Sequence, residues 1–315
     1  MKKSLKALLL VAVAGLGLSV VVPAMAQEGP INVISREDGS GTRGAFVEIV
    51  GVVDEDDNDL TTQNATVQNQ TSGVMQTVAG DPSAIGYISL GSLDDSVKAL
   101  KVDGSEATPE AIKAGDYPIA RPFNVAWSAE KELSEVANDF LTFIHSQEGQ
   151  AVVEEEGYIS VTPAGEELDE TVEAESEEVE SEEAAETEEV ESELAPYEAT
   201  AELEGTVEVV GSTSVSPLME KLAEAYKEFQ PNVEINITSN GSSAGMEAAM
   251  NDTADLGMAS RELKDEEMEA LKHDAIAIDG IAVVVNNENP TEEMTLEAIR
   301  GIFLGEISTW EDTVK

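Results

Sequence analysis

The chain contains no cysteine in its 315 residues. That excludes a disulfide framework, a thiolate metal site and a lipidated cysteine anchor. Two histidines leave little from which to build a catalytic metal centre, and none is expected. Basic residues are scarce, 17 against 65 acidic, for a formal net charge of −48. Such a chain repels nucleic acid and anionic membrane surfaces, so any anion it binds must be held by local geometry rather than by the global field. Aromatics make up only 4 %. The most apolar stretch, 8–22, is short for a membrane span.

That stretch reads instead as an export signal. Lys2, Lys3 and Lys6 precede it, and Ala24-Met25-Ala26 follows as a cleavage site. Residues 1–26 are therefore expected to be removed, leaving an exported protein, periplasmic or extracellular, with no membrane insertion of its own. An uncleaved N-terminal anchor is the competing reading.

Two blocks, 30–164 and 205–315, have the composition of folded chain. Between them, 165–204 is almost entirely Glu, Ser, Thr, Ala and Val. Low apolar content and charge of one sign favour a disordered linker there. A helix would set Glu173 against Glu177 and Glu178 against Glu182.

Short apolar runs alternate with amphipathic segments, the pattern of α/β architecture. Strands are expected at 31–35, 84–87, 125–127, 206–210, 233–238, 255–259 and 281–285. Helices are expected at 42–50, 133–145, 217–230, 244–251, 264–271 and 296–304. In 217–230, Leu218, Leu222, Ala225, Tyr226 and Phe229 share one face, and Pro217 suits the first turn.

Three of these strands run into a Gly/Ser/Thr turn and then a helix: at Gly39–Thr42, Gly211–Ser216 and Gly241–Gly245. Such a turn presents unpaired N–H groups at the positive end of a helix, a setting that suits an anion. Any one of them is equally an ordinary helix cap. Arg36 stands beside the first turn, and its planar fork matches two oxygens of a tetrahedral oxyanion. Asp38, two residues on, is placed to orient that fork; a surface ion pair is the plainer alternative. No nucleophile–base arrangement is visible, so no catalytic residue is expected.

Here the chain resembles a known family. SREDGSGTRGAF, VVGSTSVSPLMEKLAEAY and NGSSAG are similar to the anion-cradling segments of the phosphate-binding proteins that serve ABC importers. Ala84-Ile85-Gly86-Tyr87, Tyr117-Pro118-Ile119-Ala120-Arg121-Pro122 and Phe303-Leu304-Gly305-Glu306-Ile307 are further family-like stretches. The resemblance implies a two-lobed periplasmic-binding-protein fold of type II. It implies phosphate contacts from Arg36, Ser40, Gly41, Thr42, Thr213, the Ser214 backbone and Ser242, with Asp38 orienting Arg36. Arg43, Ser243 and Arg261 are further possible contacts. Arg261 stands where some family members place an aspartate that accepts the proton of hydrogen phosphate, which leaves sulfate, or another tetrahedral oxyanion, as an alternative ligand. A phosphohydrolase is a distant alternative. The implied partners are inorganic phosphate and the importer's transmembrane subunits, with no cofactor, no nucleic acid and a monomeric chain.

The order of segments is reversed relative to that family, which implies a circular permutation with 165–204 joining the old ends. A flexible linker of that length reaches on the order of 35 Å. One lobe is then expected from 30–121 with 281–315, the other from 122–164 with 205–280. A register of a tandem array, or halves exchanged between two copies, are the alternatives.

Overall fold

Short Val- and Ile-rich runs become strands buried on both faces, as strands sandwiched between helices must be; β3 and β9 below are buried along their whole length. The computed structural model describes residues 27–54, 58–161, 194–199 and 201–313. The expected signal and most of the expected linker lie outside the described residues.

In chain order the elements are β1 (Asn32–Arg36), α1 (Gly41–Val50), β2 (Thr66–Gln68), α2 (Thr71–Ala79), β3 (Ala84–Ser89), β4 (Lys98–Ala99), β5 (Lys101–Val102), α3 (Pro109–Lys113), β6 (Ala120–Ser128), α4 (Glu135–Ile144) and α5 (Gln147–Glu155). They continue with β7 (Gly205–Gly211), α6 (Ser216–Phe229), β8 (Val233–Ser239), α7 (Ser242–Met250), β9 (Leu256–Ala259), α8 (Asp265–Ala270), β10 (Leu271–Val285), β11 (Glu293–Met294) and α9 (Leu296–Leu304).

The main sheet runs β2-β1-β3-β10-β6-β9-β7-β8, with β4 added on β10. The long strand β10 lies in the middle of this order and belongs to both halves. Its residues 271–280 pair with β6 and its residues 281–285 pair with β3, both antiparallel. It thus carries the chain from one lobe to the other. On one side, α1 and α9 cover one face of β1, β3 and β10 through Phe46, Tyr87, Ile299 and Phe303, while α2 covers the other through Val74 and Val78. On the other side, α4, α5 and α6 pack on one face of β7 and β9, and α7 on the opposite face. The largest core of the first lobe draws on residues from 33–119 and 281–310; that of the second draws on 123–158, Tyr197 and 207–277.

α6 buries Leu218, Met219, Leu222 and Tyr226, with Pro217 in its first turn; Phe229, expected on the same face, is exposed on one side. The segment before β7 differs from expectation. Residues 194–199 carry no regular structure, yet Tyr197 is buried. Its ring packs against Phe143, Tyr226 and Phe229. Its hydroxyl donates to Asp139 Oδ2 at 2.6 Å, and its N–H donates to Glu148 Oε2 at 2.6 Å. One aromatic in a glutamate-rich stretch is enough to pin it, because burying a tyrosine ring outweighs the ordering of a few residues. The end of the expected linker is therefore part of the second lobe.

Residues at the two ends of the described chain lie side by side. Ile31 N–H donates to Ser308 O at 2.9 Å, and Trp310 N–H donates to Gly29 O at 3.0 Å. No helix among the described residues is long and apolar enough to cross a membrane.

Candidate anion-binding site

β1 ends the first lobe's sheet at the cleft, and β7 and β8 do the same for the second. Each strand passes through its short turn into α1, α6 or α7. Ser40 is the N-cap of α1 and its side chain accepts from Arg43 N–H. The N–H groups of Gly41 and Thr42, in the first turn, have no acceptor within the helix and donate to no other group among the described residues. At α6 the cap is Val215, without a side-chain bond. Ser212 fills that role from outside, its Oγ accepting from the N–H groups of Ser214 and Val215 at 3.1 and 3.3 Å. At α7 the cap is Gly241, with φ +103, a conformation that favours glycine.

These turns meet across the cleft. Arg36 Nη2 donates to Thr213 Oγ1 at 2.8 Å. Thr42 Oγ1 and Ser214 Oγ share a hydrogen bond of 2.7 Å. Ser243 N–H donates to Gly39 O at 3.3 Å. Gly41 lies so close to the Ser242 and Ser260 hydroxyls that no side chain fits at that position. Ser260 ties the second lobe's turns together: its N–H donates to Ser242 Oγ at 3.1 Å and its Oγ accepts from Ser212 Oγ at 2.8 Å. Arg36, Ser40, Gly41, Thr42, Thr213, Ser214 and Ser242 are thus brought into one cluster, three turns from two lobes.

The guanidinium of Arg36 is buried, with its side chain 1 % exposed. Its Nε and Nη2 donate to Glu37 Oε2 and Oε1, both at 2.8 Å. Its other edge faces the hydroxyls of Thr71 at 3.3 Å and Thr213 at 2.8 Å. One fork is thus clamped by a carboxylate, and the second is presented to hydroxyls on both walls of the cleft. Beneath the end of β1, Tyr87 OH bonds Ser35 Oγ and accepts from Arg36 N–H. Burial pushes the Tyr87 phenol up to about 12, so it stays neutral.

Several expected roles are corrected. Asp38 does not orient Arg36. Its side chain is 97 % exposed and pairs with Arg43 Nη1 at 2.8 Å, while Glu37 takes the orienting place. The chain leaves β1 after Arg36, and the turn there swings Glu37 back onto the guanidinium and Asp38 into solvent. The Ser214 N–H is not free for a ligand, because Ser212 Oγ accepts it. Short serine turns of this kind satisfy their own backbone. Arg261 does not offer its fork to the cluster. It is buried in a bidentate pair with Glu267, at 2.7 and 2.8 Å, and also donates to Glu262 O. Arg43 is occupied by Asp59, Asp38 and Arg36 O. Ser243 contributes its N–H to Gly39 O rather than standing free. Glu37, Thr71, Ser212 and Ser260 were not anticipated. Ser212 and Ser260 sit inside or beside the motifs and carried a signal; Thr71 opens a helix the sequence pattern did not reveal.

Two grooves flank the cluster. One, of about 550 Å³, is lined by Thr71, Ser72, Thr213, Ser216 and Ser239. The other, of about 520 Å³, is lined by Ser40, Arg43, Ser243, Arg261 and Lys264. Hydroxyls, first-turn N–H groups and one clamped guanidinium form a donor set suited to a compact oxyanion.

The chain matches the model of the PBP superfamily domain over residues 24–148 and 164–315. It belongs to that superfamily. The chain is 48 % identical to "Phosphate-binding protein PstS 2" of Streptococcus pneumoniae serotype 4 over 286 residues, 90 % of this chain and 87 % of that one. It is 41 % identical to the protein of the same name from Streptococcus agalactiae serotype V, covering 100 % of both. The order of segments seen here is thus shared along the full length of that relative. The fold is similar to the crystal structure of a phosphate-binding protein of a phosphate ABC transporter from Streptococcus pneumoniae TIGR4. That comparison has a TM-score of 0.66 and 47 % identity, over 90 % of this chain and 100 % of that one. The family fold is the two-lobed α/β architecture described above. A further match is partial: "Phosphate-binding protein PstS" of Pseudomonas aeruginosa is 32 % identical over 135 residues, 38 % of this chain and 42 % of that one.

Proposed function

We propose that this chain is an exported solute-binding protein. It captures inorganic phosphate between its two lobes and delivers it to the membrane subunits of an ABC importer, without chemistry of its own. The observation that carries this reading is the cross-lobe closure at Arg36–Thr213 and Thr42–Ser214. Both contacts join the anion-cradling turns, so an anion held there binds both lobes at once, and closure by the ligand is the expected mechanism. The names of the full-length relatives point to the same ligand. Arg36, Ser40, Gly41, Thr42, Thr213 and Ser242 are the assigned ligand-holding residues, and Glu37 orients Arg36.

Sulfate is the competing ligand. Two residues past β9 the chain carries Arg261 rather than a carboxylate, and both Glu37 oxygens already serve Arg36. Calorimetric titration with phosphate and then sulfate separates the two: phosphate heat with none from sulfate supports the reading, and the reverse overturns it.

We assign the lobes to 30–121 with 281–315 and to 122–164 with 205–280, the second joined by the docked residues 194–199, in a circularly permuted order within a monomer. Three observations support that assignment. The hydrogen-bonded ends near Ile31 and Trp310 are where a permuted chain would be cut. Both flanks of 162–193 rest on α5: Val161 N–H donates to Gln150 Oε1, and Gln147 N–H donates to Ala195 O. The Pseudomonas match covers two fifths of each chain, as expected when only one block can align in order. Residues 1–26 are assigned as the export signal.

A further inference from the structure

The strands that cross between the lobes carry a buried ion pair that plays no part in the site as described so far. Arg121 in β6 lies opposite Asp279 in β10, immediately before β10 changes partner from β6 to β3. Both side chains are buried, 2 % and 0 % exposed. Arg121 Nε and Nη2 donate to Asp279 Oδ2 at 3.3 and 3.0 Å, and Nη1 donates to Ser260 O at 2.8 Å. The guanidinium also sits over the Phe123 ring, 5.4 Å from its centre.

Ser260 is the residue on which the second lobe's turns converge. Its N–H holds Ser242 Oγ, its Oγ holds Ser212 Oγ, and Gly41 of the opposite lobe packs against it. Arg121 fixes the carbonyl of that same residue. One guanidinium thus grips a hinge strand with one set of N–H groups and the floor of the anion cluster with another. Stability alone does not call for charges at this place, since a buried pair is often replaceable by apolar side chains of similar volume. Asp279 also interacts with the Ser89 hydroxyl and the Gly91 backbone, and Ser89 with the Tyr158 hydroxyl, so the pair lies in a buried polar patch on the hinge strands.

We propose that Arg121, held by Asp279, is a positioning residue for anion capture: it sets Ser260, and through it the Ser242 and Ser212 hydroxyls, and couples that setting to the hinge strands. The inference rests on the cleft being the phosphate site. A lysine cannot substitute, because a single ammonium lacks the planar fork that spans carboxylate and carbonyl.

The test is the double variant Arg121→Met with Asp279→Leu, which leaves no unpaired buried charge. Amide exchange at Ser260 is followed by NMR without ligand, and phosphate affinity and release rate are measured alongside. The expected result is Ser260 exchange at least tenfold faster and phosphate at least tenfold weaker, through faster release, in a protein whose ligand-free melting is close to wild type. Unchanged Ser260 exchange, or unchanged affinity, in the folded double variant overturns the proposal. Should the double variant fail to fold, Arg121→Lys is judged by the same two readings. A wild-type protein that ignores phosphate would sink the functional reading instead, and Ser260 exchange would still decide the positioning role.

Discussion

Replacing Arg36 with alanine removes the guanidinium whose second edge meets hydroxyls on both walls of the cleft. In the ligand-free protein the loss is softened, because Glu37 is 22 % exposed and can turn to water. In the phosphate complex it is not softened. The edge that meets Thr71 and Thr213 offers two charge-assisted hydrogen bonds to a bound oxyanion. Each is worth about 1.5–3 kcal/mol. Water entering the space left by the side chain recovers part of that sum. A loss of about 3–5 kcal/mol remains, the range for breaking a buried charge pair by removing one partner. At 1.4 kcal/mol per decade this is roughly two to three and a half orders of magnitude in the dissociation constant. Equilibrium dialysis against labelled phosphate reads the loss directly, and the ligand-free melting midpoint checks that the variant is folded. An affinity within threefold of wild type in a folded Arg36→Ala protein would refute the placement of the anion on Arg36.

Arg261→Ala should behave oppositely. Its fork is spent on Glu267, so phosphate affinity should stay within about threefold, while leaving Glu267 buried and unpaired should cost about 3–5 kcal/mol of stability in denaturant titration. Glu267 also predicts part of the acid limb of stability. Burial opposes its ionisation, but Arg261 and the Lys264 N–H outweigh that and hold its carboxyl below the usual glutamate range. A depressed folded pKa means stability present at neutral pH and lost as pH falls below the ordinary glutamate value of about 4.3. Glu267→Gln should flatten that portion of the stability–pH curve relative to wild type, and identical acid slopes would contradict the assignment. Deleting 166–193 should leave phosphate affinity nearly unchanged, because both flanks of the segment rest on α5 of one lobe and the excision does not span the cleft. A large loss in a variant that remains monomeric would give the segment a role in binding.

Much of the fold was legible in the sequence because Gly, Ser and Thr punctuate it where strands become helices. β1, β7 and β8 and the helices after them fall within a few residues of expectation. α2 was hidden because Thr71–Ala79 contains Gly73 and four β-branched residues and follows Gln70, which makes no cap bond; packing of Val74 and Val78 on β3 overrides that weak propensity. The first ten residues of β10 were hidden because Lys272, His273, Asp274 and Asp279 break any apolar run, so only 281–285 was expected as strand and Leu271 was expected to end a helix. They are a strand because β6 pairs with them. In the site, residue types and turns were readable, but the choice among neighbouring charges was not. Glu37 and Asp38 are adjacent acids, and only the path of the chain past β1 decides which reaches Arg36. Likewise Glu267 lay in a segment expected only as a helix, 264–271, and its carboxylate withdraws Arg261 from the cleft.

The measurement that bears most directly on the account is a calorimetric titration of the mature protein with inorganic phosphate, with the oligomeric state followed by light scattering. One phosphate per monomer, with a dissociation constant in the micromolar range or tighter, about −8 kcal/mol or better, is the predicted result. Absence of binding up to millimolar phosphate by folded protein, or one phosphate shared by two chains, would contradict the single-chain, two-lobed phosphate site.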